Sequence, residues 1–192
     1  SVYALQVEPN TPFYELWSQG KLTVPDDDVV AEMMLMGRDF LLKRGYGQYE
    51  ISNYALPGFE SRHNITYWRN QEYLGLGPSA ASYINGRRFV NVADLTAYTS
   101  KLAVGQLPLA SCECLDQERG MAETVILGLR LLNEGVNRRS FMDRYGVDPL
   151  THYQQVIEKW RDLGYLEVTS ELIRLTAKAV PVASQIQLSF LP

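Results

Sequence analysis

Apolar and polar residues fall into two rhythms along this chain, and the change between them organises everything else. The run Val2, Tyr3, Ala4, Leu5 and Val7 predicts a short strand, ended by Glu8-Pro9-Asn10-Thr11-Pro12. Pro25-Asp26-Asp27-Asp28 then opens a helix, since acidic side chains in a first turn are favoured by the helix dipole. Val30, Met33, Met34, Gly37 and Leu41 recur at helical spacing and Gly45 stops them, so the methionines read as a buried face. A strand follows over Gln48 to Asn53, then an irregular loop with Pro57-Gly58, then a buried strand around Leu74 to Leu76. Strand, helix, strand, loop, strand is the order of parallel α/β units. Asn85-Gly86 between Tyr83-Ile84 and Phe89-Val90 predicts a hairpin, and Asp94 caps a helix burying Leu95, Tyr98 and Leu102.

Beyond Gly105 and Pro108 the pattern becomes helical. Asp116 caps a helix with the stripe Ala122, Val125, Ile126, Leu129 and Leu132, stopped by Gly135. A shorter helix spans Arg138 to Tyr145 and closes at Gly146, and Asp148-Pro149 opens another carrying Leu150, Tyr153, Ile157 and Trp160 as far as Gly164. Leu166-Glu167-Val168 and Ile173-Arg174-Leu175 predict a two-stranded wing, and Pro181 delays any terminal helix. Three helices and a wing make a winged-helix-like α+β domain. The boundary falls at about residues 105 to 115, separating 1–108 from 109–192.

Composition narrows the function classes. Eighteen Lys and Arg against 22 Asp and Glu leave a net charge of −4, and the basic residues sit in scattered pairs, Arg87-Arg88 and Arg138-Arg139 among them. Nucleic-acid binding needs a clustered positive footprint, so no nucleic-acid partner is expected. The helix that would enter a groove sets Lys159 and Arg161 against Glu158 and Asp162. No apolar run reaches the roughly 20 residues of a transmembrane helix, and no basic leader precedes one. A cytoplasmic setting is expected. Cys112 and Cys114 are the only thiols; they form no disulfide framework, and with no further ligands at suitable spacing they predict linker thiols and no metal site.

The polar, aromatic and glycine residues concentrate between positions 49 and 82, where an ordinary core would place leucines. Tyr49-Glu50-Ile51-Ser52-Asn53, Arg62-His63-Asn64, Tyr67-Trp68 and Tyr73-Leu74-Gly75-Leu76-Gly77-Pro78-Ser79-Ala80-Ala81-Ser82 suggest the floor and rim of a small-molecule pocket. The glycines let backbone approach a ligand with its N–H groups exposed. Glu50, Asn53, His63 and Asn64 are candidates to face the mouth, and equally Glu50 and Asn53 can satisfy loop backbone. His63 offers a ring nitrogen that could serve a metal, and Arg62 or Arg69 a guanidinium matched to a carboxylate.

These segments, together with Glu8-Pro9, Leu129-Arg130 and Leu175-Thr176, resemble in their order the distal half of the HemW-type family of radical S-adenosylmethionine (SAM) proteins, which includes heme chaperones and oxygen-independent coproporphyrinogen III oxidase-like proteins. The resemblance implies the last strands of an incomplete (β/α) barrel followed by the winged-helix-like domain. It implies SAM contacts at Gln6, Gly75, Gly77 and Ala81, and heme or porphyrin near Glu50, Asn53, Arg62, His63 and Asn64. The family's CxxxCxxC motif for a [4Fe-4S] cluster is not present in these 192 residues, so the chain alone is expected to be silent as a radical enzyme. An upstream half carrying SAM and the cluster, and acceptor hemoproteins, are the implied partners. Heme delivery, oxidative decarboxylation of coproporphyrinogen III, and a non-catalytic interaction module are the three functions the sequence leaves open.

Overall fold

The computed structural model describes residues 1–192 and divides into two compact units, Ser1–Glu60 and Ser61–Pro192. Each is taken by itself.

In the first unit, Thr11 caps a short helix that the sequence pattern did not signal, α1 (Pro12–Ser18): its hydroxyl accepts from Tyr14 N at 3.2 Å, and Pro12 occupies the first turn. Asp26 caps α2 (Asp27–Leu42) by accepting from Val29 N at 2.9 Å. A hairpin follows, β1 (Gly47–Gln48) against β2 (Tyr54–Ala55). Three expectations fail here. Residues 2–7 form no strand, because after Val2 N donates to Ser52 O no ladder continues. The strand expected over Gln48 to Asn53 is chiefly the loop of the hairpin, since its polar side chains bond to one another and to loop backbone rather than alternating across a sheet. The methionine face of α2 is not core: Met33 is 59% exposed and no residue of the helix is buried.

The second unit opens with α3 (Arg62–Trp68), where a loop was expected; Ser61 caps it through Asn64 N. Tyr73 meets Tyr83 in a single bridge, and the strand expected around Leu74 to Leu76 does not form because nothing pairs with it; Leu76 is 81% exposed. The predicted hairpin is present as β3 (Ala81–Ile84) and β4 (Arg87–Asn91), with Asn85 and Gly86 both left-handed at φ 51° and 70°, the two-residue turn that Asn-Gly favours. Asp94 caps α4 (Leu95–Ala103), although Leu95 and Leu102 stay exposed. Next comes β5 (Leu109–Cys114), which pairs with β4. Cys112 and Cys114 therefore belong to a strand and not to a linker.

Asp116 caps α5 (Gln117–Gly128) as expected, but the helix ends at Gly128, short of Leu132 and of the stop expected at Gly135. Then come β6 (Val136–Asn137), α6 (Arg138–Tyr145) closed by left-handed Gly146, α7 (Pro149–His152) capped by Asp148, and α8 (Gln154–Asp162). The wing is β7 (Leu166–Val168) with β8 (Leu172–Leu175), and β6 adds to it in the order β6-β8-β7. Pro181 sits in a 3-10 stretch, Ala177–Val182, before α9 (Ala183–Leu188). Leu129, Phe141, Ile157, Ile173, Ile186 and Phe190 are buried to 2% exposure or less and form the core, each worth about 1.5–3 kcal/mol of apolar transfer.

Every strand pair is antiparallel, which corrects the parallel expectation; tight turns such as Asn85-Gly86 reverse the chain, whereas parallel pairing needs a crossover of a dozen or more residues. The sheets have two, three and three strands, and none closes into a barrel.

Candidate functional site

The glycine turn before β3 is held from within. Gly75 N donates to Ser82 Oγ at 3.0 Å, Gly77 N donates to Tyr98 OH at 3.1 Å, and the buried Asn91 amide donates to Gly77 O at 2.9 Å. A Cβ on Gly75 would lie 2.0 Å from Ala81 O, so glycine is demanded there by the fold. Gly77, at φ 108°, has open space where a Cβ would go. The N–H groups expected to face a ligand are thus already spent. What the turn offers a ligand is room beside Gly77, with Leu74 and Leu76 exposed on either side of Gly75 and half-buried Ala81 at the start of β3.

Helix α3 presents Arg62 and His63 to solvent, with Asn64 half-buried behind them. The His63 ring stands edge-on to Tyr67 at 4.7 Å, and Tyr67 edge-on to Tyr73 at 4.5 Å, so the imidazole is held by an aromatic row rather than loose. Arg69 is committed elsewhere: it forks onto Glu134 at 2.9 and 2.8 Å, and that bond raises its guanidinium pKa. An Arg69–propionate pair would have to break it.

Sequence reading missed a polar network beside this helix. Arg144 donates to Asn70 O at 2.9 Å and to Tyr83 OH at 2.6 Å, while Tyr145 OH donates to Gly120 O at 2.7 Å. Asn70 donates to Thr124 at 2.9 Å, and burial raises the Tyr145 pKa. Asn70, Tyr83, Arg144 and Tyr145 edge an open hollow of about 1080 Å³ that Arg69, Gln117 and Ser140 also line. Asn70 takes φ 48°, a conformation asparagine tolerates better than most residues.

In the first unit, Gln6 is exposed and borders an apolar hollow of about 620 Å³ with Trp17, Val24, Met33 and Met34. Glu50 is fully buried in the hairpin loop and accepts from Ser52 N at 2.8 Å and from the Asn53 amide at 2.6 Å. Asn53 in turn accepts from Ser1 Oγ and meets Tyr3 OH at 3.4 Å. Burial raises the Tyr54 pKa, Arg38 opposing and Glu50 adding to it. Glu50 and Asn53 therefore act here as the ties of a loop.

The chain's donors do not fit a [4Fe-4S] cluster, having two thiols and no grouping of three or more metal-ligating side chains. Arg62 and His63, exposed on α3, offer a guanidinium and a ring nitrogen to solvent.

The fold is that of the HemN-like proteins. It is similar to the coproporphyrinogen III oxidase HemN of Escherichia coli, a radical SAM enzyme, with a TM-score of 0.67 and 17% identity over 91% of this chain and 44% of that one. The HemN C-terminal domain family matches residues 115–182. Along its whole length the chain is 34% identical to a heme chaperone HemW of Bacillus subtilis and 33% to one of Lactococcus lactis, in each case over 50% of that protein. Across 80 residues it is 46% identical to the mitochondrial radical S-adenosyl methionine domain-containing protein 1 of Mus musculus. The chain belongs to the HemW family and spans about half the length of the curated relatives it matches. No helix is long and apolar enough to cross a membrane.

Proposed function

We propose that this chain is the distal half of a radical SAM heme chaperone that binds heme and passes it to acceptor hemoproteins. One observation carries the reading: unbroken similarity over 100% of the chain to proteins named heme chaperone. Residues 1–108 are read as the end of an open (β/α) barrel and residues 109–192 as a winged-helix-like domain. The balanced charges of α8 speak against a role for that domain on nucleic acid. His63 would hold a heme iron through a ring nitrogen and Arg62 would pair with a propionate, with Asn64 beside them on the same helix. Gly75, Gly77 and Ala81 would line the place of SAM in the longer protein. SAM bound there, with a cluster held outside these residues, would supply radical chemistry; these residues contribute shape and contact.

The test is a heme titration followed by absorbance, on this chain and on the full-length gene product. His63→Ala should abolish the Soret shift of the bound form and Arg62→Ala should weaken it. An unchanged spectrum in His63→Ala would remove His63 from the site, and absence of heme binding by the full-length protein would end the chaperone reading. The second reading, oxidative decarboxylation, is favoured by the fold likeness to HemN. Turnover of coproporphyrinogen III by the full-length protein would establish it in place of heme transfer.

A further inference from the structure

We propose that Cys112 and Cys114 form a two-thiolate site for one soft monovalent cation of the Cu(I) type. Both thiols are exposed on β5, the edge strand of the order β3-β4-β5. Residues two apart on a strand share a face, and the register sets Cys112 opposite Phe89 and Cys114 opposite Arg87 on that face. The intervening Glu113 points the other way, toward α5, where Arg119 donates to it at 3.3 Å and Arg88 forks onto Glu123. The thiol face is therefore the one α5 leaves open.

Spacing decides what this pair can do. Strand geometry puts the two Cα atoms about 6.6 Å apart with parallel side chains. A disulfide needs Cβ atoms about 3.5–4.5 Å apart, so the pair cannot close one while β5 stays paired. A metal between two sulfurs, at about 2.3 Å from each, needs them only about 4.6 Å apart, and small leans along the strand supply that. No third ligating side chain joins the thiols, which excludes a tetrahedral zinc site and hard cations. Two thiolates suit a soft ion that accepts linear coordination. Each thiol releases its proton to solvent as its sulfur bonds the ion, so two protons leave per ion bound and no electron moves.

The test uses the intact chain, reduced and free of oxygen, titrated with Cu(I) against a chromogenic Cu(I) chelator. Binding should saturate at one ion per chain with the protein still monomeric, release two protons, and protect both thiols from alkylation. Cys112→Ser and Cys114→Ser should each weaken binding by about 100-fold or more, because the second sulfur is no longer held beside the first. Phenylarsine oxide, which bridges paired thiols, should bind one per chain and compete with Cu(I). Saturation at half an ion per chain with dimer formation would overturn the proposal, as would either serine variant keeping full affinity or two thiols alkylated independently in the presence of Cu(I). None of these readouts involves heme, so the chaperone reading and this one fail separately.

Discussion

Arg138 is tied at once to the cap of α7 and to the turn of the wing, and removing Asp148 should loosen all three segments. Arg138 donates through Nε and Nη2 to the two oxygens of Asp148, and through Nη1 to Thr169 O at 2.9 Å and Ser170 O at 3.2 Å. Asp148 also accepts from Leu150 N at 3.0 Å, which makes it the cap of α7. Both side chains are about one-fifth exposed, so the pair is partly desolvated. A charge-assisted bond is worth about 1.5–3 kcal/mol and a cap about 1 kcal/mol, so Asp148→Ala should cost roughly 2–4 kcal/mol after solvent screening. Asp148→Asn keeps an acceptor for Leu150 and should cost about half as much.

The pH dependence carries a definite sign. The Arg138 guanidinium, aided by the Leu150 N–H, holds the Asp148 carboxyl below its ordinary 3.8. Its contribution is thus fully present above that value and is lost as pH falls through the lower folded pKa. Urea unfolding followed by circular dichroism should show a constant gap between the native chain and Asp148→Asn from neutrality to about pH 4, closing below it. If the two proteins lose stability in parallel below pH 4, or if Asp148→Ala costs under about 0.5 kcal/mol, the clamp is a surface ion pair of no consequence.

Gly135→Ala should cost about 2–4 kcal/mol in the same assay, since at φ 60° its Cβ would sit 2.3 Å from Ile173 O, whereas Gly146→Ala, at φ 76° in open space, should cost about 1 kcal/mol; equal costs would refute the steric account. Arg144→Met should cost about 1–3 kcal/mol by leaving Asn70 O and Tyr83 OH without their donor, read as a lowered melting temperature. Burial pushes the Tyr153 pKa up to about 12, with Glu118 adding to it, so its share of stability is intact below the ordinary 10.0 and lost as pH rises through about 12. Tyr153→Phe should therefore flatten the decline between those values and delete the last step of the tyrosinate absorbance titration.

The second half of the chain was legible because its signals are local. Asp116 and Asp148 serve as caps where expected, although the helix expected from Asp148 to Gly164 breaks at Tyr153 into α7 and α8, and Gly146 stops α6 by taking a conformation that depends on no distant contact. In the first half the Asn85-Gly86 hairpin formed, but strands that depend on distant partners failed: Val2 to Val7 and Leu74 to Leu76 have the composition of strands and nothing to pair with. Arg62-His63-Asn64 read as loop because His63 and Asn64 are weak helix formers, yet Ser61 and the spacing of Ile65 and Trp68 were enough to start and turn a helix. Glu50 and Asn53 stood out correctly as unusual polar residues. Their partners, Ser52 N and Ser1 Oγ among them, were not foreseeable from spacing because the loop brings them together.

Between Ser1 and Glu60 only six residues are buried, and four of them, Gln48, Glu50, Ser52 and Asn53, are polar, with Tyr49 and Ala55 the exceptions. Heat-capacity change on unfolding follows newly wetted hydrocarbon and is reduced by newly wetted amide and carboxyl groups. Melting of this stretch should thus add little to the heat-capacity increment of the whole chain, which should lie close to that calculated for residues 61–192 alone.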